Sequence, residues 1–482
     1  MVLVAVLAVA AAVFGLRPGD AVAGPGLVFD ARTGNVLYAE DAGRVWYPAS
    51  LTKMMTAYIV FRQIEAGRLS PNSEIVISAN AAAQPPSKIG LPAGTAISVD
   101  FALRALLVRS ANDIAVTIAE NLAGSETAFV RHMNEVARAL GMSGTYYANP
   151  HGLPDIRQVT TARDIGILAR AIIHQFPDQL HYFAEPHVKV GDRVLGNRNS
   201  LLKTMEGADG MKTGFICNSG YNLVATATRN GRKLVAVVLG ETSANARNER
   251  AATLLEAAFA RAAGHNLSFS SRPVSAISNG GLVAAPEDLG AVVCNRDLEL
   301  PPSPADRVKA WSVVLAEADS VKASTDLLRK RLMPLRGVFY GGHTAVVKSP
   351  LTGRYAALVH GLDADQARAA CSTASACRVL EPDTFQRAIA AARAAEQEAR
   401  RQQEARKKPQ AEKPQARGNA KPAPKPKAAR DPVPAQASVP VPASPPQALN
   451  PAAETPSIPK ASVTPGWNTE RWPSGLRHWD RR

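Results

Sequence analysis

Residues 47–53 read Tyr47-Pro48-Ala49-Ser50-Leu51-Thr52-Lys53, and from Leu51 to residue 66 apolar side chains recur at helical spacing. A serine and a lysine three positions apart at the start of a helix share one face, within reach of each other. The lysine acts as a base toward the serine hydroxyl only when neutral; burial and a second nearby cation both push it toward that state. The helix start also presents backbone N–H groups suited to a developing oxyanion. The pattern alone is weak, because Ser200-Leu201-Leu202-Lys203 and Ser457-Ile458-Pro459-Lys460 repeat it in the same chain.

Outward from this stretch, Ser110-Ala111-Asn112 closes the apolar run Leu103 to Val108, and it too has duplicates, at Ser78 and Ser243. Lys212-Thr213-Gly214 occurs once, ahead of two apolar segments, 222–228 and 233–239, that flank Arg229-Asn230-Gly231 and read as paired strands. The glycine would let a ligand lie close along an edge strand, and the lysine would offer a cation to a carboxylate. The weight lies in the order. Ser-x-x-Lys, then Ser-x-Asn, then Lys-Thr-Gly is the signature shared by penicillin-binding proteins and class A β-lactamases.

With these motifs, residues 24 to about 262 resemble the D-alanyl-D-alanine carboxypeptidases, low-molecular-mass penicillin-binding proteins of the peptidase S11 kind. Further matching stretches are Tyr47-Pro48-Ala49, Asp113-Ile114-Ala115 after Asn112, Asn149-Pro150-His151-Gly152-Leu153-Pro154, and Asp209-Gly210-Met211 before Lys212. The resemblance implies a serine β-lactamase/transpeptidase-like α/β fold, an antiparallel sheet with a helical subdomain. It implies that Ser50 attacks the carbonyl between two terminal D-alanines while Lys53 takes its proton. Ser110 would relay a proton to the leaving amine, and Asn112 would bridge Lys53 and the substrate backbone. Lys212, Thr213 and Arg247 would hold the terminal carboxylate, Gly214 would belong to the same substrate-binding strand, and the backbone N–H groups of Ser50 and Phe215 would form the oxyanion hole. Phe215 departs from the small or polar residue usual after Lys-Thr-Gly, which implies a different substrate fit while the backbone donor stays. No metal or organic cofactor is implied, and β-lactam antibiotics are the implied inhibitors. His151 reads as a loop hydrogen-bonder, Cys217 as a small filler near the site, and Cys294 has no evident partner.

The remaining elements are consistent with that fold. Gly26 to Asp30 and Gly34 to Tyr38 read as a hairpin, and helices are expected at 51–66, 101–122, 126–140, 161–174 and 246–263. Strands at both ends and helices between them predict one sheet assembled from both termini, with a helical insert. Residues 265–306 read as a linker with a short strand at Gly290 to Cys294. Residues 307–383 give β-α-β-β-α-β, a small α+β domain: strand Trp311 to Leu315, helix Val321 to Leu332, strands Val338 to Lys348 and Arg354 to Leu362, helix Ala364 to Ser372, strand Cys377 to Leu380. Trp311-Ser312-Val313-Val314-Leu315, Tyr355-Ala356-Ala357-Leu358-Val359, Ala367-Arg368-Ala369-Ala370-Cys371 and Cys377-Arg378-Val379-Leu380 resemble the sporulation-related repeat. That repeat binds septal glycan strands stripped of stem peptides; its usual polar residue and glycine in the first strand are Val314 and Ala316 here. Cys371 and Cys377 are placed to pair in an oxidising compartment, two free buried thiols being the other reading.

The chain's 482 residues hold 56 basic and 41 acidic side chains, a net charge of +15, which invites a nucleic-acid partner. Location removes that inference: residues 386–482 carry +10, residues 24–264 only +4. The Lys/Pro/Ala-rich stretch within 384–482 cannot bury enough apolar surface to order itself and reads as a disordered tail. Met1 to Phe14 is apolar and too short to span a bilayer, and Ala21-Val22-Ala23 before Gly24 is a cleavage pattern, so residues 1–23 read as a signal peptide. No Lys or Arg precedes the apolar run; a buried N-terminal helix is the other reading. The expectation is a periplasmic enzyme with no transmembrane span in the mature chain, whose partners are peptidoglycan stem peptides and glycan strands. Three rivals stay in view: a β-lactamase, for which no deacylating Glu-x-x-Leu-Asn is found; a D,D-endopeptidase, which shares every motif; and a wall-binding scaffold, which has no need of Ser50, Lys53 and Lys212 together.

Overall fold

The computed structural model describes residues 24–263, 272–279, 285–294, 303–335, 338–339, 342–374 and 377–407. The expected leader at 1–23 and residues 408–482 of the expected tail lie outside them; the first part of that tail, Thr384–Lys407, is instead a helix that buries Phe385 against the small domain. β1 (Gly26–Asp30) and β2 (Val36–Glu40) form the N-terminal hairpin. A single 3₁₀ turn, Ala49–Thr52, leads into α1 (Lys53–Glu65). The hairpin of β3 (Glu74–Val76) and β4 (Ala96–Ser98) precedes α2 (Val99–Arg104), α3 (Asn112–Ala123), α4 (Glu126–Ala139) and α5 (Ala162–Gln175). The hairpin of β5 (His187–Val190) and β6 (Arg193–Gly196) is followed by β7 (Ala208–Ile216), β8 (Gly220–Arg229), β9 (Arg232–Glu241) and α6 (Ala244–Ala263).

The main sheet runs β2-β1-β9-β8-β7, antiparallel throughout, so the N-terminal hairpin joins strands from two hundred residues further on. The near-continuous apolar runs of β8 and β9 follow from burial on both faces. Val224, Val235, Val237 and Leu239 face the helical body, and Leu223, Ala225, Ala227, Leu234, Ala236 and Val238 face Ala251, Leu255 and Ala258 of α6. Each fully buried Val or Leu contributes roughly 1.5–3 kcal/mol. β7 is left at the sheet edge.

The helix expected over 101–122 is broken. After α2 the turn Ala105–Arg109 widens to π geometry, and Ser110 adopts the left-handed conformation (φ 64°, ψ 41°) before α3 restarts at Asn112. Such a widened turn re-aims the chain at functional positions.

In the small domain, β10 (Trp311–Ala318), β11 (His343–Lys348), β12 (Tyr355–Leu362) and β13 (Arg378–Leu380) form a sheet ordered β11-β12-β10-β13. α7 (Val321–Leu332) and α8 (Ala364–Thr373) cover one face through Leu328, Leu332, Ala367 and Ala370. Val308 and Phe385, the latter in α9 (Thr384–Lys407), cover the other. Cys371 and Cys377 are disulfide-bonded. A second compact unit begins at Ala392; its described residues are the remainder of α9.

Two expectations fail between the domains. Gly290–Cys294 is a short helix, because Asp288 Oδ1 accepts from Gly290 N (2.8 Å) and this cap overrides the β preference of Val292 and Val293. Cys294 does have a partner: it is bonded to Cys217, which is therefore no mere filler. Described stretches of the expected linker are also packed down. Val274 enters the main core, and Asn279 Nδ2 donates to Asp164 Oδ1 (2.9 Å).

Candidate active site

Ser50 stands in the 3₁₀ turn and Lys53 opens α1, so one turn carries both side chains on the same face. Ala49, just before Ser50, has φ 47°, a sparsely populated conformation for a residue with a Cβ. Lys53 is 0% exposed. Its Nζ donates to Asn112 Oδ1 (2.7 Å) and to His151 O (2.6 Å), and lies 3.0 Å from Ser50 Oγ. Asn112 Nδ2 donates to Pro85 O (3.0 Å), which fixes the amide with its oxygen toward the lysine. A neutral amine has two N–H donors and one lone pair. Two of its neighbours are pure acceptors and take the donors; the third is a hydroxyl, which meets the lone pair. Burial, then the charge of Lys212, hold Lys53 well below the usual lysine range, only partly offset by Asp113.

The opposite wall comes from Ser110 and edge strand β7. Lys212 Nζ donates to Ser110 Oγ (3.0 Å) and Thr213 O (2.9 Å). Burial, then Arg247 and Arg198, push Lys212 down to about 7. Arg247 is itself pushed down to about 10 by burial, and its Nε and Nη2 donate to Asn248 Oδ1. Two buried cations, Lys212 and Arg247, with the exposed Arg198 acting on Lys212, favour an anion between them. Gly214 is a matter of space: a Cβ there would lie 3.2 Å from Ser50 N and 2.9 Å from Pro48 O. Phe215 is 42% exposed, with its ring 4.3 Å from that of Tyr221. The outward edge of β7 is open to an extended peptide.

The fold thus brings Ser50, Lys53 and Asn112 into one hydrogen-bonded group, and Ser110, Lys212 and Thr213 into a second. Arg247 joins the latter through its charge. The duplicate Lys203 lies on the short helix Leu201–Thr204, outside both groups.

Several contributors carry no chemical signature in the sequence. The His151 carbonyl is one. Its ring Nδ1 accepts from Leu153 N (3.1 Å), and burial with the Lys53 charge pushes it down to about 3, so the ring is neutral. Gly152, at φ 91°, passes so close that a Cβ would overlap the Ala49 carbonyl. Asp113 accepts from Ile89 N (3.0 Å) and Gly90 N (2.9 Å) and so holds the segment that carries Pro85. Asn222 Nδ2 donates to Tyr47 O (2.9 Å), tying β8 to the turn before Ser50. The matching stretches around Asn149 to Pro154 and after Asn112 were the available signal.

A lysine poised against a serine on one wall and a cationic edge strand on the other define the site of the penicillin-binding serine peptidases. The D-alanyl-D-alanine carboxypeptidase family (peptidase S11) matches residues 13–243, and the chain belongs to it. D-alanyl-D-alanine carboxypeptidase DacD of Escherichia coli is 38% identical over 250 residues, covering 50% of this chain and 64% of that protein. A D-alanyl-D-alanine endopeptidase of Pseudomonas aeruginosa is 33% identical over 226 residues, covering 45% and 70%. Penicillin-binding protein 5 of Haemophilus influenzae is a solved structure with 34% identity, covering 51% and 73%, at a TM-score of 0.49. The chain spans 64% of the length of the Escherichia coli relative.

Proposed function

We propose that this chain is a serine-type D-alanyl-D-alanine carboxypeptidase that removes the terminal D-alanine from peptidoglycan pentapeptide stems through an acyl-enzyme on Ser50. The observation that carries this reading is the buried Lys53 amine, whose Nζ meets Asn112 Oδ1, His151 O and Ser50 Oγ; with its two donors on the first two, a neutral amine has its lone pair left for Ser50. In the proposed mechanism Lys53 takes the Ser50 proton as Oγ attacks the penultimate carbonyl. The oxyanion is held by the N–H groups of Ser50 and Phe215. Asn112 steadies Lys53 and the substrate backbone, and Gly214 leaves room for that backbone beside Ser50. Ser110 passes a proton, lodged next to Lys212, to the departing D-alanine amine. Lys212, Thr213 and Arg247 hold the free carboxylate. Water then releases the shortened stem, and no metal or organic cofactor enters any step. A β-lactam follows the same first half and stays on Ser50.

The wider assignment belongs to the same reading. Residues 1–23 act as a signal peptide, 24–264 as the peptidase, 265–306 as the connection, 307–383, covered by the start of α9, as a sporulation-repeat-like binder of glycan strands, and the residues beyond α9 as a tail, in a periplasmic, wall-associated protein. Among the described residues no helix is long and apolar enough to cross a membrane. The endopeptidase reading has one specific support, the Pseudomonas aeruginosa relative of that name, while the family description and the other curated relatives named here are carboxypeptidases.

Mass spectrometry of stem peptides after incubation with the chain decides between them. Loss of one alanine from pentapeptides is expected; cleaved cross-linked dimers with intact pentapeptides would install the endopeptidase, and no change at all would leave a scaffold. A Ser50→Ala chain pulled down with denuded glycan strands tests the small domain; equal retention on untreated sacculi would remove the glycan assignment.

A further inference from the structure

The loop from Tyr146 to Arg157 has two faces. Toward α1, His151 O receives the Lys53 Nζ bond, Pro150 O accepts from Thr56 Oγ1 (2.7 Å), and Gly152 presses on the Ala49 carbonyl. Toward the small domain, the Tyr146 hydroxyl donates to Phe339 O (2.5 Å) and Ile156 joins the apolar cluster of Val313, Leu335 and Phe339. Arg157 Nη2 donates to Gly342 O (2.8 Å). A single short loop therefore touches the candidate base at its middle and the appended domain at both ends.

Arg157 is the unusual member. It is 1% exposed, and its Nε and Nη2 form a fork on Asp155 (2.9 and 2.6 Å). An ion pair taken out of water holds only while its geometry and remaining hydrogen bonds are satisfied, and Gly342 O supplies one of these. Where the small domain lifts away, that acceptor is lost and the pair meets solvent. The groups around Arg157 are Asp155, Tyr146, His343 and His360; those around Lys53 are Lys212, Asp113 and His151. The two sets meet only at His151, whose ring also feels the Asp155 charge; neither Asp155 nor Arg157 acts on Lys53 itself, so their link to the lysine is positional, through the backbone from 151 to 157.

We propose that Arg157 is a positioning residue: by fastening Gly342 of the small domain to the 146–157 loop, beside the Tyr146 bond to Phe339, it keeps the His151 carbonyl on Lys53 and couples docking of the small domain to acylation of Ser50. This rests on the peptidase reading above. The coupling is specific in what it touches. A displaced His151 carbonyl frees the lysine amine to turn from Ser50, which slows attack, while Lys212, Thr213 and Arg247 on the other wall still hold the carboxylate.

The test uses the full chain and its Arg157→Gln, Arg157→Lys and Tyr146→Phe forms. Acylation of Ser50 by a fluorescent penicillin is followed by stopped flow from acid to alkaline pH, with a circular-dichroism melt as the check of folding. Arg157→Gln is expected to slow the acylation step about tenfold, to move the acid limb of the profile to lower pH because Lys53 loses a carbonyl acceptor that favours its charged form, and to leave the affinity of the first complex unchanged. Arg157→Lys recovers part of the rate, because it keeps a charge for Asp155 without the fork. Tyr146→Phe removes one hydroxyl and slows the step roughly twofold; it decides the matter if Arg157→Gln does not fold. Folded variants with the parent's rate and acid limb overturn the proposal, as does an equal loss of affinity and rate. A parent chain that penicillin never acylates would instead sink the peptidase reading itself.

Discussion

The two walls of the candidate site each bury a lysine, and they treat it in opposite ways. Lys53 is enclosed by two pure acceptors and a hydroxyl, an arrangement suited to an uncharged amine. Lys212 has one hydroxyl and its neighbour's carbonyl, and its charged company is Arg247 and Arg198. Burial lowers both, yet the first is pushed well below the usual range and the second only to about 7. Near neutral pH one lysine is free to take a proton while the other still carries one for much of the time. Lys212 also helps set Lys53 apart, because its charge is the second cause of the Lys53 shift. The same residue type becomes a base or an anion anchor according to what its lone pair or its charge can meet.

Removing the base should have the largest effect. Lys53→Met keeps the length of the side chain but gives Ser50 no proton acceptor, and acylation by a fluorescent penicillin is expected to fall about 10²–10⁴-fold. Retention of more than a tenth of the parent rate would end the division of labour between the two walls. Lys212→Met ranks next. It deletes a charge-assisted contact worth roughly 1.5–3 kcal/mol to the substrate carboxylate, so kcat/KM for a pentapeptide should drop about ten- to a hundredfold. The same change removes a like charge from the neighbourhood of Lys53, whose pKa must therefore rise. The acid limb of the Lys212→Met profile should lie at higher pH than the parent's; an unmoved limb would mean the two walls do not sense each other.

Much of this contrast was legible in the sequence, and the reason is chemical. Ser50, Lys53, Ser110, Asn112 and Lys212 do their work through side chains, so the spacings that unite them are written in residue letters. The sheet built from both ends was legible because the apolar runs of 222–228 and 233–239 fit only strands buried on two faces. What stayed hidden works through the backbone or through distance. The His151 carbonyl has no letter of its own, and Gly152 announces a close approach without saying to what. The break at Ser110 lies inside a continuous apolar pattern that a single helix would also satisfy. Cys217 and Cys294 are 77 residues apart, and no periodicity points from one to the other. Their bridge depends on the short Asp288-capped helix, where a local hydrogen bond overrides the preference of two valines.

The pH dependence of the parent separates the walls more gently. A buried lysine with a lowered pKa is uncharged above that pKa and charged below it. In the free enzyme, raising pH through about 7 discharges Lys212, so kcat/KM should decline on the alkaline side from there. A bound carboxylate favours the charged form and raises the Lys212 pKa, so kcat should hold to higher pH than kcat/KM. On the acid side both fall together as Lys53 takes up a proton, since the carboxylate does not contact it. Alkaline limbs that coincide for kcat and kcat/KM would show that Lys212 does not meet the substrate's charge.

The smallest effect concerns the anchor wall alone. The Cys217–Cys294 bridge ties the turn after β7 to the short helix at Gly290–Cys294, and Leu289 N donates to Asn218 O (3.1 Å) beside it. Asp288 accepts from Asn218 Nδ2 (2.7 Å) and pairs with Arg329 of α7 (2.5 Å). These contacts steady the strand that carries Lys212 and Thr213, and none of them touches Ser50 or Lys53. Cys294→Ser with Cys217→Ser should therefore lower thermal stability, by up to about 4.5 kcal/mol for a loop of this length. KM for the pentapeptide should rise only roughly twofold, with kcat preserved, because uniform binding is what a looser anchor loses. A fall in kcat at unchanged KM would place the bridge on the wrong wall, for it would mean that the turn after β7 governs the base as well as the anchor.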